Sequence, residues 1–179
     1  MLYETERLIL REWRTTDLEP FARMGQDPQV MEFFPDLLTR EESAALITRI
    51  KDKFTKHGFC FFATELKATS EFIGFIGLNV PNFEAHFTPC VEIGWRLASQ
   101  HCGLGYATEG ARKCLEIGFN ELNLTEIISI AVKENWNSRN VMQKIGMQQD
   151  LGGSFIHPNL PTDHPLAEHV LYRIQAPKR

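Results

Sequence analysis

The sequence predicts an α+β fold: one mixed, mostly antiparallel sheet flanked by helices. Three observations lead there. Three strand-like apolar runs, FCFFATEL, EFIGFIGLNV and TPCVEIGWRLA, follow one another through polar connections, and that turn chemistry makes them antiparallel neighbours. Beyond them the pattern alternates strand, helix, strand, helix, strand. The 179 residues, 43% of them hydrophobic, suit a single domain spanning residues 1–179 with a sizeable core.

Taken in order, ETERLILREW reads as an opening strand, with Leu8 and Leu10 on one face and Arg7, Ile9 and Arg11 on the other. Thr16 and Glu19 have the spacing of a capping box and open a short helix through Phe21 and Met24. DPQVMEFF predicts a second short helix, stopped by Pro35. Thr39 and Glu42 repeat the capping signal and start a longer helix, with Ala45, Ile47, Ile50 and Phe54 as its apolar stripe and Gly58 at its end. The three strands come next. QHCGLG then makes a glycine turn, and YATEGARKCLEIGFNEL makes a helix. TEIISIAVKEN is a buried strand, NSRNVMQKIG a short helix ended by Gly146, and two weaker strands near MQQDLGGSF and EHVLYRIQ close the chain.

A formal charge of −4 gives no global basic field, which argues against nucleic acid as a partner. No apolar run reaches the length of a membrane span, and the start, MLYETERLILREW, lacks the apolar core of a signal peptide. The four cysteines form no CxxC pair, so a reducing cytoplasm is the expected location. His157, His164 and His169 match no zinc spacing, and no metal is expected.

The turn after VEIGWRLA carries Gly103 and Gly105 directly before a helix. Small residues there let backbone N–H groups and the positive helix end approach a phosphate. A dinucleotide fingerprint would need glycine three residues past Gly105, where Thr108 stands, and no Gly-Lys-Ser/Thr follows to make a P-loop.

Gln100, Gly103 and Gly105, followed by Tyr-Ala-Thr-Glu, resemble the acetyl-CoA motif of the GNAT acyltransferases, and ENWNSRNVMQKIGM resembles that superfamily's second motif. With ERLILRE and EIGWRL the resemblance covers nearly the whole chain and points to the branch that includes the ribosomal-protein N-terminal acetyltransferases. It implies the acyl-CoA N-acyltransferase fold, with VEIGWRLA and TEIISIAV splayed apart. It implies acetyl-CoA as co-substrate, its pyrophosphate on the N–H groups of Cys102, Gly103, Leu104, Gly105, Tyr106, Ala107 and Thr108. The pantetheine would pair with the backbone of Ile93, Gly94, Trp95, Arg96 and Leu97, and Asn135 would bond the pantetheine or the strand end.

For the chemistry, an amine must lose a proton and the departing CoA sulfur must gain one. Glu92, just before the implied splay, is the expected base. The alternative is a sheet-face carboxylate that pairs with an arginine or attracts a charged substrate. Where many GNAT relatives carry a tyrosine as acid, this chain has Met142, which leaves Ser138 as the expected acid. Its competing role is that of a helix cap shared with Asn137. Glu109 is expected to cap or solvate its helix. Cys102 is either a thiol activated by the helix end or simply a small loop residue. The expected activity is direct acetyl transfer to a primary amine by a monomer or homodimer. The acceptor is a peptide N-terminus or a small molecule, contacted by residues 27–40, 80–90 and 152–168 and walled by Phe33, Phe34, Phe83 and Phe87. A CoA-binding sensor without turnover is the rival reading.

Overall fold

In the computed structural model, which describes residues 1–178, the chain forms strands β1 (Leu2–Glu4) and β2 (Leu8–Arg11), helices α1 (Leu18–Gly25) and α2 (Arg40–His57), and strands β3 (Phe61–Leu66), β4 (Phe72–Asn79) and β5 (Glu92–Leu97). Helix α3 (Tyr106–Asn120), β6 (Glu126–Val132), α4 (Trp136–Lys144), β7 (Gln148–Ile156) and β8 (Glu168–Gln175) complete it. The strands make one sheet in the order β1-β2-β3-β4-β5-β6-β8-β7, antiparallel throughout except between β5 and β6.

Alternation along the strands divides the core between the two faces. Leu8, Phe62, Ile76, Ile93, Leu97, Ile127, Ala131 and Val170 pack on one face with Ala111, Cys114 and Leu115 of α3 and Met142 of α4. The residues between them point the other way. Ala63 and Phe75 meet Phe21 and Met24 of α1 and Ile47 and Ile50 of α2. Ile128 and Leu171 meet Phe87, with Phe83 and Phe155 alongside. Two clusters therefore share the second face, one over β3–β5 and one over β6–β8.

Three sequence expectations give way to tertiary contacts. The opening strand is a hairpin: Glu4 pairs with Ile9, and Thr5 closes the turn with its hydroxyl on the Leu8 N–H. The start of α1 is set two residues before the expected capping box. Asp17 accepts the Arg14 N–H at 2.7 Å and both terminal nitrogens of Arg11 at 2.8 and 2.9 Å, while Glu19 is drawn off to Arg40. Buried Arg11, also paired with Glu65, needs a carboxylate there, and that demand outweighs local propensity. The DPQVMEFF segment is a series of turns, because the Asp27 side chain accepts the Gln29 N–H and the Ser99 hydroxyl and holds the backbone out of a helix.

The long helix begins as expected, with Thr39 and Glu42 reciprocally capped and Gly58 left-handed at its end. Its stripe is shifted slightly: Ala45 is exposed and Ser43 is buried in its place. No described helix is long and apolar enough to cross a membrane.

Candidate active site

The parallel pair β5–β6 has a single register match, Glu92 with Ile128, whereas β4–β5 has six matches and β6–β8 seven. Beyond Glu92 the two strands diverge. Alternation tells which backbone groups this frees. Val91 O accepts from Ile128 N, and Ile93 O accepts from the Ser129 hydroxyl, so odd-numbered residues of β5 turn their N–H and C=O toward β6. Trp95 and Leu97 thus face the gap. Gly94 and Arg96 bond to β4 instead, so only the odd residues of the Ile93–Leu97 run can pair with a ligand lying in the gap.

Because the strands run parallel, both lead out at the same end of the sheet, into α3 and α4 respectively. Two helix N-termini therefore flank the mouth of the gap, an arrangement suited to anionic ligands. At the first, Gly103 and Gly105 have φ of +76° and +85°. Glycine takes these angles without the penalty a Cβ would incur. No protein oxygen among the described residues accepts from the N–H groups of Gly103 through Thr108, while Gly103, Leu104 and Gly105 are exposed. Gln100 is exposed in the 3-10 turn Ser99–His101 that leads in.

The turn is braced from behind. Arg7 donates to Leu104 O at 3.1 Å, pairs with Glu109 at 2.7 Å, and lies 4.5 Å from the centre of the Tyr106 ring. Glu109 also accepts the Thr5 hydroxyl and the Arg7 N–H, so it ties the β1–β2 turn to α3 rather than standing in solvent. Beside Gly105 and Thr108 a groove of about 690 Å³ carries both signs of charge along its walls, Arg7, Arg112, Lys113 and Lys144 with Glu4, Glu6, Glu109 and Glu116. The thiol of exposed Cys102 points back at Leu97 O and Ala98 O, and partial burial of the sulfur together with Asp27 raises it above its ordinary value.

At the second helix end Asn135 is the cap, its side-chain oxygen accepting the Ser138 N–H at 3.1 Å. This corrects the expectation of a cap shared by Ser138 and Asn137. The Ser138 hydroxyl, half-buried in the first turn of α4, has no partner among the described residues. Met142 lies one turn on, buried in the main core.

Glu92 points to the face opposite α3, alternating with Ile93, and is half-buried. Asn79, its cross-strand neighbour, donates to it at 2.6 Å, and the Asn79 oxygen accepts the Lys53 ammonium at 2.7 Å. Burial pushes the Glu92 carboxyl above its ordinary value, opposed by the Asn79 hydrogen bond and by the charge of Lys53. Among the described residues no arginine pairs with it. Sequence reasoning missed both supporting residues.

The three segments without a clear sequence pattern gather around this face. Phe34 lies over Arg96, and Phe83, Phe87 and Phe155 pack with His157 and His169 over β6 and β8. Burial lowers both histidines, which favours their neutral forms.

Residues 7–148 match the family model described as an acetyltransferase (GNAT) domain. The chain is 33% identical over 147 residues, 82% of each chain, to the uncharacterized N-acetyltransferase YnaD of Bacillus subtilis. It superimposes on a GNAT-family acetyltransferase from Bacillus anthracis with a TM-score of 0.80, at 28% identity and 98% coverage of both chains. RimJ of Mycobacterium smegmatis in complex with CoA-disulfide has the same fold, with a TM-score of 0.75 at 22% identity, covering 98% of this chain and 87% of RimJ. With a splayed parallel pair, a glycine turn of free N–H groups and these relatives, the chain belongs to the GNAT family and is an acetyl-CoA-dependent N-acetyltransferase.

Proposed function

We propose that residues 1–179 act as one domain that passes acetyl from acetyl-CoA directly to a primary amine held on the Glu92 face of β5. The observation that carries this reading is two stretches of unclaimed backbone on one side of the gap, the N–H groups of Gly103–Thr108 and the gap-facing edge of β5 at Trp95 and Leu97, joined by the hydrogen-bonded turn through Ala98, His101 and Cys102. The turn and the α3 dipole suit a diphosphate without any metal. The strand edge suits the amides of pantetheine, which leaves the thioester near Ile93, beside Glu92. Leu104, Tyr106 and Ala107 contribute backbone N–H groups to the diphosphate, whereas Cys102, expected from the sequence to do the same, has its N–H committed to Ser99 O. Asn135, committed through its oxygen to the cap, has only its side-chain NH₂ left for the ligand.

Glu92 takes the proton of the attacking amine, a role favoured by a carboxyl raised toward neutrality. Ser138 relays a proton to the departing sulfur from an otherwise unshared hydroxyl at the α4 N-terminus. A reference α-amino group titrates near about 8 and a lysine near about 10.4, so a peptide N-terminus or an amine of similar basicity is the easier acceptor. The motif resemblance to the ribosomal-protein branch points the same way; a small-molecule amine is the alternative. The four free cysteines suit a reducing compartment, and the cytoplasm is the proposed location.

Thiol release from acetyl-CoA, followed across pooled N-terminal peptides and small amines, tests the reading. Amine-dependent release with at least one pool is expected. Protein that binds CoA yet releases thiol with no pool would overturn direct transfer.

A further inference from the structure

We propose that Arg96 anchors a carboxylate carried by the amine acceptor itself. This inference rests on the direct-transfer reading and names the substrate class of the same site. Arg96 leaves β5 on the same face as Glu92, four residues further along, or about 13 Å between Cα atoms at strand spacing. Its guanidinium carbon lies 4.0 Å from the centre of the Phe34 ring and 5.5 Å from that of Phe75. Nε and Nη1 are shut off from water and have no hydrogen-bond partner among the described residues. Together they carry three of the five N–H donors of the guanidinium.

The buried arginines are paired. Arg11 is held by Asp17 and Glu65, and Arg139 by the Lys133 carbonyl, Tyr172 and Gln149. Arg96, half-buried as a residue but with Nε and Nη1 enclosed, has no acceptor for those two nitrogens among the described residues. Burial pushes it down to about 10, with no neighbouring charge contributing, so it remains a cation at neutral pH. Enclosed N–H donors without acceptors weaken the fold that holds them, and such donors in a substrate-facing position signal a ligand that completes them.

The location selects the acceptor over CoA. The Arg96 backbone bonds to β4, away from the gap, and its side chain emerges opposite α3, under the 26–39 segment that carries Phe34. The chemistry selects a carboxylate. With Phe34 against the guanidinium face, the in-plane N–H edge is what remains to offer, and a planar two-oxygen anion matches it. Between Glu92 and Arg96 the Phe61 ring lies against Gly94, stacked on Phe75 at 4.7 Å, so the span from amine to carboxylate crosses an apolar surface. The acceptor is an amine joined to a carboxylate by an apolar chain of several bonds.

The test compares ω-aminocarboxylates of graded chain length with their matched ω-amino amides, at saturating acetyl-CoA, by thiol release. Wild-type protein is expected to favour the acids in kcat/KM by roughly tenfold or more, with an optimum at one length. Arg96→Met should bring the acid-to-amide ratio to near one and raise the melting temperature of the unliganded protein, because the enclosed donors without acceptors are gone. Arg96→Lys, which keeps charge without the planar fork, should keep part of the preference. Acids that react no faster than amides in wild-type protein overturn the inference while leaving direct transfer standing. So does an Arg96→Met protein that keeps the preference, or one that loses CoA affinity in its place. Absence of turnover with every amine removes direct transfer and this inference together.

Discussion

Asn79 and Glu92 face each other across β4 and β5, and the Asn79 amide donates to Glu92 Oε1 at 2.6 Å. The orientation of that amide is fixed from its other end. Lys53 of α2 donates to the Asn79 oxygen and to Val80 O, each at 2.7 Å, so the NH₂ group is the end left for the carboxylate. A lysine on a helix thus sets which side of an asparagine a strand glutamate meets.

Replacing Asn79 with alanine removes an interaction that favours ionised Glu92. The carboxyl should titrate at higher pH, so the acid limb of kcat/KM moves up, activity at neutral pH falls, and activity returns under more alkaline conditions. A pH–rate profile checks this. An unmoved limb would separate Asn79 from the chemistry.

Glu92→Gln should lower saturated turnover by roughly 10² to 10⁴ with little change in substrate affinity. A raised KM with turnover intact would instead mark Glu92 as an attractor of a cationic acceptor. The stability effect has the opposite sign. A carboxyl raised on folding contributes stability below its unfolded value, about 4.3, and loses it as pH rises through the folded value. At neutral pH the wild-type protein bears the cost of an ionised buried group that the variant lacks. The variant should therefore melt higher at neutral pH, with the difference shrinking toward about pH 4, as thermal denaturation across pH would reveal.

Asn135→Ala removes the α4 cap and should cost about 1 kcal/mol of stability. Ser138→Ala removes a hydroxyl with no partner and should leave the melting temperature nearly unchanged while slowing the chemical step. Melting curves together with single-turnover kinetics distinguish them. Loss of stability with an unchanged rate in Ser138→Ala would remove it as the acid.

Gly103→Ala and Gly105→Ala both force alanine into a left-handed conformation, at roughly 1–2 kcal/mol each. A methyl at Gly103 meets nothing within 4 Å, whereas one at Gly105 lies 3.3 Å from Arg7 Nη2 and presses on the brace of the turn. Calorimetric titration with CoA should therefore show the greater loss for Gly105→Ala. Equal losses would mean that Arg7 yields without disturbing the N–H groups.

The readable parts of the fold are those built from neighbouring residues: the Thr39–Glu42 cap, the left-handed Gly58, and the glycine turn with the strand before it and the helix after it. What sequence could not supply was made by register and docking. Asn79 stands thirteen residues from Glu92 and 26 from Lys53, and no local pattern joins them. The placement of β8 between β6 and β7 depends on a chain reversal after β7. The α1 start and the turns after Asp27 differ from the sequence expectation because Asp17 is engaged by Arg11, six residues away on β2 and itself held by distant Glu65, and Asp27 by Ser99, 72 residues away. Arg96 was read for its backbone, since alternation alone does not reveal whether a side chain finds a partner.

The lone Glu92–Ile128 match divides the sheet into a five-stranded half and a three-stranded half. Glu92 therefore stands at the closed end of the gap, where the two halves are still joined, and Leu97 and Val132 stand at its open end. A ligand lying along the β5 edge from the glycine turn has its far end stopped at that seam, so the seam sets how deep it can reach and leaves the proposed base at the limit of that reach.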